Sequence, residues 1–145
     1  MAKTYEIRPV SDVDVDGAYL LARLSLPALD LEGWREACER SRAAGAEEIT
    51  VAANRRGYLQ GLAISRAGPD RTLDVPSFVV VSAADEPGVG VELFHYLRAR
   101  ARRLNCSALR LHLADRDEIR VGIDDGTEAV EALLRLSDAA SPGGG

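Results

Sequence analysis

Aromatic residues and cysteines are both scarce in this sequence. Aromatic side chains make up 5% of the 145 residues, so a buried core has to be built mainly from leucine, valine, isoleucine and alanine. The two cysteines, Cys38 and Cys106, lie far apart in the sequence and lack the spacing of metal ligands. We therefore expect no metal site, and we expect both thiols to be reduced, as in a cytoplasmic protein.

A long apolar run and an excess of basic residues are also missing. No stretch approaches the ~20 apolar residues that cross a bilayer, and the N-terminal MAKTYEIRPV lacks the apolar core of a signal peptide. These absences predict a cytoplasmic protein with no membrane partner. Acidic residues number 23 against 18 basic ones, a net charge of −5. This balance argues against a nucleic-acid partner, which requires a basic face, and it favours attraction of a cationic ligand.

Apolar residues make up 46% of the chain, which suits one core. We predict one domain over residues 1–140 and a flexible tail over 141–145. The hydrophobic periodicity predicts the order strand, two helices, three strands, helix, strand, helix. In the second helix Cys38 shares the face of Trp34, which favours a small core residue over a nucleophile. On the first helix, the expected apolar positions are Val15, Leu20, Leu21 and Leu24.

The central strands define the fold class. EEITVAAN and YLQGLAISR flank a turn containing Gly57, which predicts an antiparallel hairpin. Pro76 marks a bulge within the following strand. From Ser77 to Leu113 the pattern is strand–helix–strand, which predicts a right-handed crossover between two parallel strands. The predicted fold is α/β (α+β), with a mixed, mostly antiparallel sheet and helices on both faces.

The stretch VVVSAADEPGVGVELFHYL, Val79 to Leu97, joins a buried strand to a helix through a glycine-rich turn. The first amides of a helix are unpaired, and glycines let a phosphate approach them. Acidic residues followed by a proline are equally an ordinary helix start. Asp85 and Glu86 would oppose a phosphate and satisfy the helix dipole themselves. Both interpretations of the turn stay open at this point.

This order of elements resembles the GNAT superfamily of acyl-CoA-dependent N-acetyltransferases over roughly Thr4 to Leu113. Its cofactor turn, Gln/Arg-x-x-Gly-x-Gly/Ala, corresponds to the window Asp85-Glu86-Pro87-Gly88-Val89-Gly90, with Asp85 in place of Gln or Arg. The resemblance implies acetyl-CoA as a co-substrate and a small-molecule or protein amine as the acceptor. It implies that the strand backbone pairs with pantetheine and that helix-start amides hold the pyrophosphate. The residues implied in these roles are Val79, Val80, Val81, Gly88, Val89, Gly90 and Val91.

Two candidate catalytic groups lie on the strands that flank the crossover helix. His112 is on the face opposite the leucines of its strand, and histidine suits a general base near neutral pH. Asp74 precedes the predicted bulge at Pro76. For both residues the alternative is an ordinary surface side chain.

Other features of the resemblance are missing. No tyrosine follows Tyr96, Asp117 stands roughly where the family has an asparagine, and the family's closing strand is absent. A binding or regulatory module without catalysis, with or without CoA, is therefore the alternative function, and a structural partner subunit is another.

The remaining polar residues are expected to be solvated. Arg98, Arg100, Arg102 and Arg103 form a basic run that predicts an exposed helix face, with a CoA phosphate contact as the alternative. His95 is expected to be solvated, and Tyr58 and Tyr96 to keep wet hydroxyl groups. The SALRLHL strand leaves a sheet edge that is either exposed or covered by EIRVGI. Because exposed edges pair with other chains, we expect a homodimer.

Overall fold

A computed structural model describes residues 5–44, 47–81, 88–113, 118–124, 128, 130–132 and 134. The helices are α1 (Val15–Ser25), α2 (Leu31–Ala44) and α3 (Val89–Arg103). The strands are β1 (Glu6–Pro9), β2 (Glu47–Ala53), β3 (Leu59–Ala67), β4 (Thr72–Val80), β5 (Ala108–Leu113) and β6 (Ile119–Gly122). Residues 128, 130–132 and 134 are also helical, within the predicted last helix.

The described strands form one six-stranded sheet in the order β1-β2-β3-β4-β5-β6. Neighbours are antiparallel except β4 and β5, which are parallel. At the β2–β3 turn Gly57 has a φ of +87°, a conformation that favours glycine. The predicted mixed sheet, the hairpin and the parallel pairing of the two strands joined by α3 are therefore confirmed. Because β6 pairs with β5, the alternative in which EIRVGI covers the edge of SALRLHL is also confirmed.

Helices cover both faces of this sheet, as predicted. On one face α1 and α2 pack against β2 and β3, with Trp34 and Cys38 in the core. Cys38 is fully buried, and this burial raises the pKa of its thiol to about 11, so the prediction of a core residue is confirmed. On the other face α3 packs against β4 and β5. In the part of the chain that the structure describes, no helix has both the length and the apolar character required to cross a bilayer.

Helix α1 turns a different face to the core from the one predicted. Leu20 is 69% exposed and Leu24 57% exposed, so their prediction as buried positions was wrong. The buried stripe consists of Val15, Ala18, Leu21 and Ala22. Alanines in this stripe are almost fully buried, and their small side chains let the helix backbone approach the sheet closely. Close packing against the sheet therefore buries the alanine face of the helix and leaves Leu20 and Leu24 exposed.

The prediction of a solvated arginine face was wrong for Arg100, which is 7% exposed. Its Nε donates to Ser65 Oγ at 2.9 Å, and its Nη1 lies 3.6 Å from Glu48 Oε1. The hydroxyls of Tyr96 and Thr50 both donate to Glu48 Oε2, at 2.8 and 2.6 Å. Burial and the bond to Glu48 raise the pKa of Tyr96 to about 12. These five side chains form a polar network between α3 and strands β2 and β3.

Replacing Arg100 with leucine should lower the free energy of unfolding by about 3 kcal/mol, because it leaves the Glu48 carboxylate without its cation. This value is at the low end of the destabilisation expected when a buried ion pair is broken. The reason is that Nη2 of Arg100 is already buried without a hydrogen-bond partner among the described residues. Urea denaturation of Arg100→Leu measures the change. Arg102→Leu is the matched control: its pair with Asp124 is exposed and should be worth under about 1 kcal/mol. Equal losses in the two variants would contradict a special role for Arg100.

Candidate functional site

Among the described residues, the pairing of β4 with β5 ends before β4 does. Their register runs from Thr72 opposite Ala108 to Phe78 opposite Leu113, with a shift between Val75 and Phe78. The shift confirms the bulge predicted at Pro76. Beyond Phe78, residues 79 and 80 continue β4 while still paired with β3. Within the described residues, this end of β4 therefore has no strand partner on its β5 side.

The three valines predicted to bind the cofactor could contact a ligand mainly through their backbone groups. Val79 is buried in the core beneath α1, and Val80 is half-buried on the α3 side. Val81 is 45% exposed, and its amide donates to Gln60 O on β3 at 2.8 Å. Because backbone groups alternate in direction along a strand, the amide and carbonyl of Val80 point towards the β5 side. This is the position in which an extended amide-bearing chain could add to β4.

Helix α3 starts close to the same end of β4. Gly88 precedes the helix with a φ of +97°, and a Cβ there would meet nothing within 4 Å. Glu92 N donates a hydrogen bond to Gly88 O at 3.0 Å, and this is the first i→i−4 hydrogen bond expected in the helix. The amides of residues 89 to 91 come before it and have no acceptor within the helix. Val89, Gly90 and Val91 are all buried residues, so these amides belong to a well-packed helix start.

A second glycine sets the height of α3 above the sheet. A Cβ at Gly61 on β3 would lie 3.3 Å from Ala52 Cβ and 3.4 Å from atoms of Leu93 and Val89. The missing side chain therefore allows α3 to pack closely on β3. Residues 79–81 and 88–91, which the resemblance in sequence assigns to pantetheine and pyrophosphate, thus lie at the same end of the sheet. Asp85 and Glu86 lie outside the described residues, so their effect on this turn stays a prediction.

Asp74 and His112 lie on the same face of the sheet, opposite α3. The leucines of β5 point into the α3 core, whereas the His112 side chain is 44% exposed. Asp74 is registered with Arg110 of β5, and Arg110 Nη1 donates to Asp74 Oδ1 at 3.0 Å. Arg110 Nε is also 3.1 Å from Glu118 Oε2, without the geometry of a hydrogen bond. Glu118 Oε1 in turn lies 3.6 Å from His112 Nε2.

The two candidate bases are thus joined by a row of ionisable side chains, Asp74–Arg110–Glu118–His112, which runs from β4 through β5 to the residue before β6. His112 immediately precedes Leu113, the last described residue of β5 registered with β4, so it lies beside the last described β4–β5 pair. Asp74 lies farther back along the sheet and is already paired. The arrangement leaves His112 as the more accessible proton acceptor.

Sequence reasoning missed Arg110 and Glu118. The signal for Arg110 was present, since it lies two residues before His112 and therefore on the same strand face. Pairing with Asp74 followed only from the exact parallel register of β4 and β5. Helix α1 reaches the bulge as well, because Ser25 Oγ lies 3.0 Å from Ser77 Oγ. His95, expected to be solvated, is partly exposed and lies 2.9 Å from Glu131 Oε1.

No protein-family model matches the sequence, and no curated protein has a significantly similar sequence. Solved structures are similar in fold. Spermidine N-acetyltransferase from Vibrio cholerae, in complex with CoA and spermine, has a TM-score of 0.64 at 14% identity, covering 94% of this chain and 79% of that chain. Ribosomal-protein-alanine N-acetyltransferase from Brucella melitensis has a TM-score of 0.59 at 22% identity, covering 73% of this chain and 72% of that one.

A third similar structure is the PaiA N-acetyltransferase from Thermoplasma acidophilum in complex with coenzyme A. Its TM-score is 0.60 at 14% identity, and the match covers 75% of this chain and 79% of that chain. At such identities the likeness shows the fold alone. The chain has the GNAT fold, and the resemblance seen in its sequence is confirmed at that level.

Proposed function

We propose that this protein transfers an acetyl group from acetyl-CoA to a primary amine. The observation that carries the proposal is the end of β4 beyond Phe78, which has no β5 partner among the described residues, next to a helix start whose first amides have no acceptor within the helix. An extended strand edge and a helix N-terminus are complementary to the two ends of a pantetheine–pyrophosphate chain. Similar folds named for spermidine and for ribosomal-protein alanine support an amine acceptor, and the net charge of −5 favours a cationic one.

In this proposal the chain contributes binding, orientation and one proton acceptor. The amides of Val89, Gly90 and Val91 hold the pyrophosphate, and the backbone of residues 79–81 orients the pantetheine. His112 accepts the proton that the substrate ammonium must lose before its nitrogen can attack. Acetyl-CoA supplies the activated thioester carbonyl, whose C–S bond breaks as the C–N bond to the amine forms. In this proposal water supplies the proton that neutralises the leaving thiolate.

Acetyl-CoA should raise the melting temperature, because a ligand that binds only the folded state stabilises it. At a ligand concentration of about 100 times Kd the gain in unfolding free energy is about 2.7 kcal/mol. Thermal denaturation with and without acetyl-CoA measures the shift. Adenosine, which lacks both pyrophosphate and pantetheine, is the control and should give no shift. An unchanged melting temperature at millimolar acetyl-CoA would refute the proposed co-substrate.

Two expectations from the sequence, a homodimer and a cytoplasmic location, remain predictions. The homodimer was expected from an unpaired edge at β5. The pairing of β6 with β5 covers that edge, so the physical reason for expecting a dimer has become weaker. Light scattering of the purified protein gives its mass directly.

A further inference from the structure

An apolar stripe runs along the outer side of α1. Leu20 and Leu24 of this helix are largely exposed, and Val13, in the turn that leads into the helix, is 89% exposed. The spacing of these three residues and Gly17 puts all four on one helix face, with Gly17 in the middle. We call this face the α1 stripe. Neighbouring large apolar side chains on a surface mark an interaction site, whereas single ones need no explanation.

Gly17 forms a notch in the α1 stripe. It is exposed, and a Cβ added there would meet only Leu59 Cδ1, at an ordinary 3.6 Å. Tyr58, the neighbour of Leu59 at the β2–β3 turn, is 65% exposed, so the hairpin extends the apolar surface beside the notch. The space above Gly17 therefore suits a large apolar side chain from a partner.

The α1 stripe is flanked by charges of opposite sign at its two ends. Asp16 lies in the first turn of α1 and Arg23 in the last, two turns apart on the same row of the helix. Asp16 is 67% exposed, although Arg35 pairs with it at 3.1 Å. The guanidinium of Arg23 lies 5.9 Å from the centre of the Tyr19 ring, and no carboxylate pairs with it among the described residues. A surface with an acidic start, an apolar middle and a basic end is complementary to itself in antiparallel orientation.

We propose that the α1 stripe is the docking surface for a second copy of this chain, in an antiparallel contact between the two α1 helices about a two-fold axis. Leu20 of each copy then fills the notch at Gly17 of the other, and Val13 lies opposite Leu24. The flanking acid of each copy then lies about 3 Å, measured along the helix axis, from the flanking base of the other. This contact is independent of the proposed function and of the strand edge at β5.

The size of the contact makes the dimer weak. From Val13 to Leu24 the α1 stripe is about 16 Å long, on a helix about 10 Å wide. Two such faces with the adjoining hairpin turns bury less than the roughly 1,200 Å² at which stable interfaces begin. We therefore expect a dissociation constant on the order of 10 µM, so that the protein is mostly dimeric at about 0.2 mM and mostly monomeric at about 1 µM.

Replacing Leu20 with glutamate should weaken the dimer on the order of a hundredfold, because it puts a carboxylate into an apolar notch of each copy. Sedimentation equilibrium of the full chain at about 0.2 mM measures the change as a shift from dimer to monomer mass. Leu104→Glu is the matched control. Leu104 is also an exposed leucine, but it follows α3 on the other side of the sheet, so this variant should dimerise like the wild type.

A charge-swap experiment tests the antiparallel orientation. Asp16→Arg and Arg23→Asp each bring like charges together, so each variant alone should dimerise at least about tenfold more weakly than the wild type at low salt. An equimolar mixture of the two variants should form a heterodimer with nearly wild-type affinity, because each acid again faces a base. The differences should shrink at high salt.

A wild-type monomer at about 0.2 mM, or a dimer that persists in Leu20→Glu, would overturn the proposal. A mixture of the charge-swap variants that associates no more tightly than either variant alone would refute the antiparallel contact. Circular dichroism confirms that each variant is folded, and if Leu20→Glu does not fold, the charge swap at two exposed positions decides. Because the mass is measured without CoA, failure here leaves the melting-temperature test of acetyl-CoA binding untouched, and the reverse also holds.

Discussion

Replacing His112 with glutamine should lower kcat for amine acetylation by about 10²–10⁴-fold, the usual contribution of a general base. Glutamine keeps a polar side chain of similar reach on the exposed face of β5 but cannot accept the ammonium proton. The KM for acetyl-CoA should change little, because the cofactor is proposed to be held by backbone groups of β4 and α3. Release of the CoA thiol, measured across a panel of primary amines, gives both parameters.

His95→Gln is the matched control for this prediction. His95 is the other histidine of the chain; it lies on α3 and pairs with Glu131, away from the strand face that carries His112. This variant should keep wild-type kcat. A further variant, Asp74→Asn, should have a smaller effect than His112→Gln, because the Asp74 carboxylate is already bonded to Arg110. Equal activity of the wild type and His112→Gln would exclude His112 as the base, and inactivity of every protein with every amine would favour the binding-module alternative.

Local patterns in the sequence predicted most of the fold because they report directly on strand and helix faces. Alternating leucines placed β5 with His112 on the outer face, and Pro76 correctly marked the bulge in β4. The strand–helix–strand pattern between Ser77 and Leu113 predicted the parallel pairing of β4 and β5, because the two strands of such a unit generally run parallel. The sequence EIRVGI fits either a loop or a strand, because the four residues of β6 are too few to show a clear alternation of polar and apolar side chains.

The sequence predictions failed in two situations. One is a helix with two apolar faces, and the other is a charged side chain whose partners are distant in the sequence. In α1 the sequence offers both leucines and alanines, and only close contact with the sheet selects the alanine face. Arg100 looks like its exposed neighbours in sequence, yet Ser65 and Glu48 come from strands 35 and more residues earlier. Arg110 was missed because its partners Asp74 and Glu118 come from other segments of the chain. Such pairs depend on register between distant strands, which no local pattern contains.

The turn that opens α3 provides the second large effect: Gly90→Val should abolish CoA binding. Gly90 is the second residue of the helix, among the amides proposed to hold the pyrophosphate, and a branched Cβ there would occupy the space that the phosphates need. Isothermal titration calorimetry measures the affinity. Gly17→Ala is the control glycine substitution, because an added Cβ at Gly17 in α1 meets only Leu59, at an ordinary 3.6 Å; it should bind CoA like the wild type.

Replacing Asp85 with arginine, in the same turn, should strengthen the binding of CoA. Asp85 precedes Gly88 by three residues in the sequence and lies outside the described residues; its negative charge is the reason for the expected effect. A carboxylate about 4 Å from a phosphate costs on the order of 4 kcal/mol at an effective dielectric constant near 20, and much less when water and salt screen it. Asp85→Arg removes this repulsion and adds an attraction, so affinity should rise about tenfold at low salt and less at high salt. If the wild type, Gly90→Val and Asp85→Arg all fail to bind CoA at about 1 mM, where even a weak site of about −4 kcal/mol is half-filled, then the turn only starts a helix. The proposed transferase would be refuted with it.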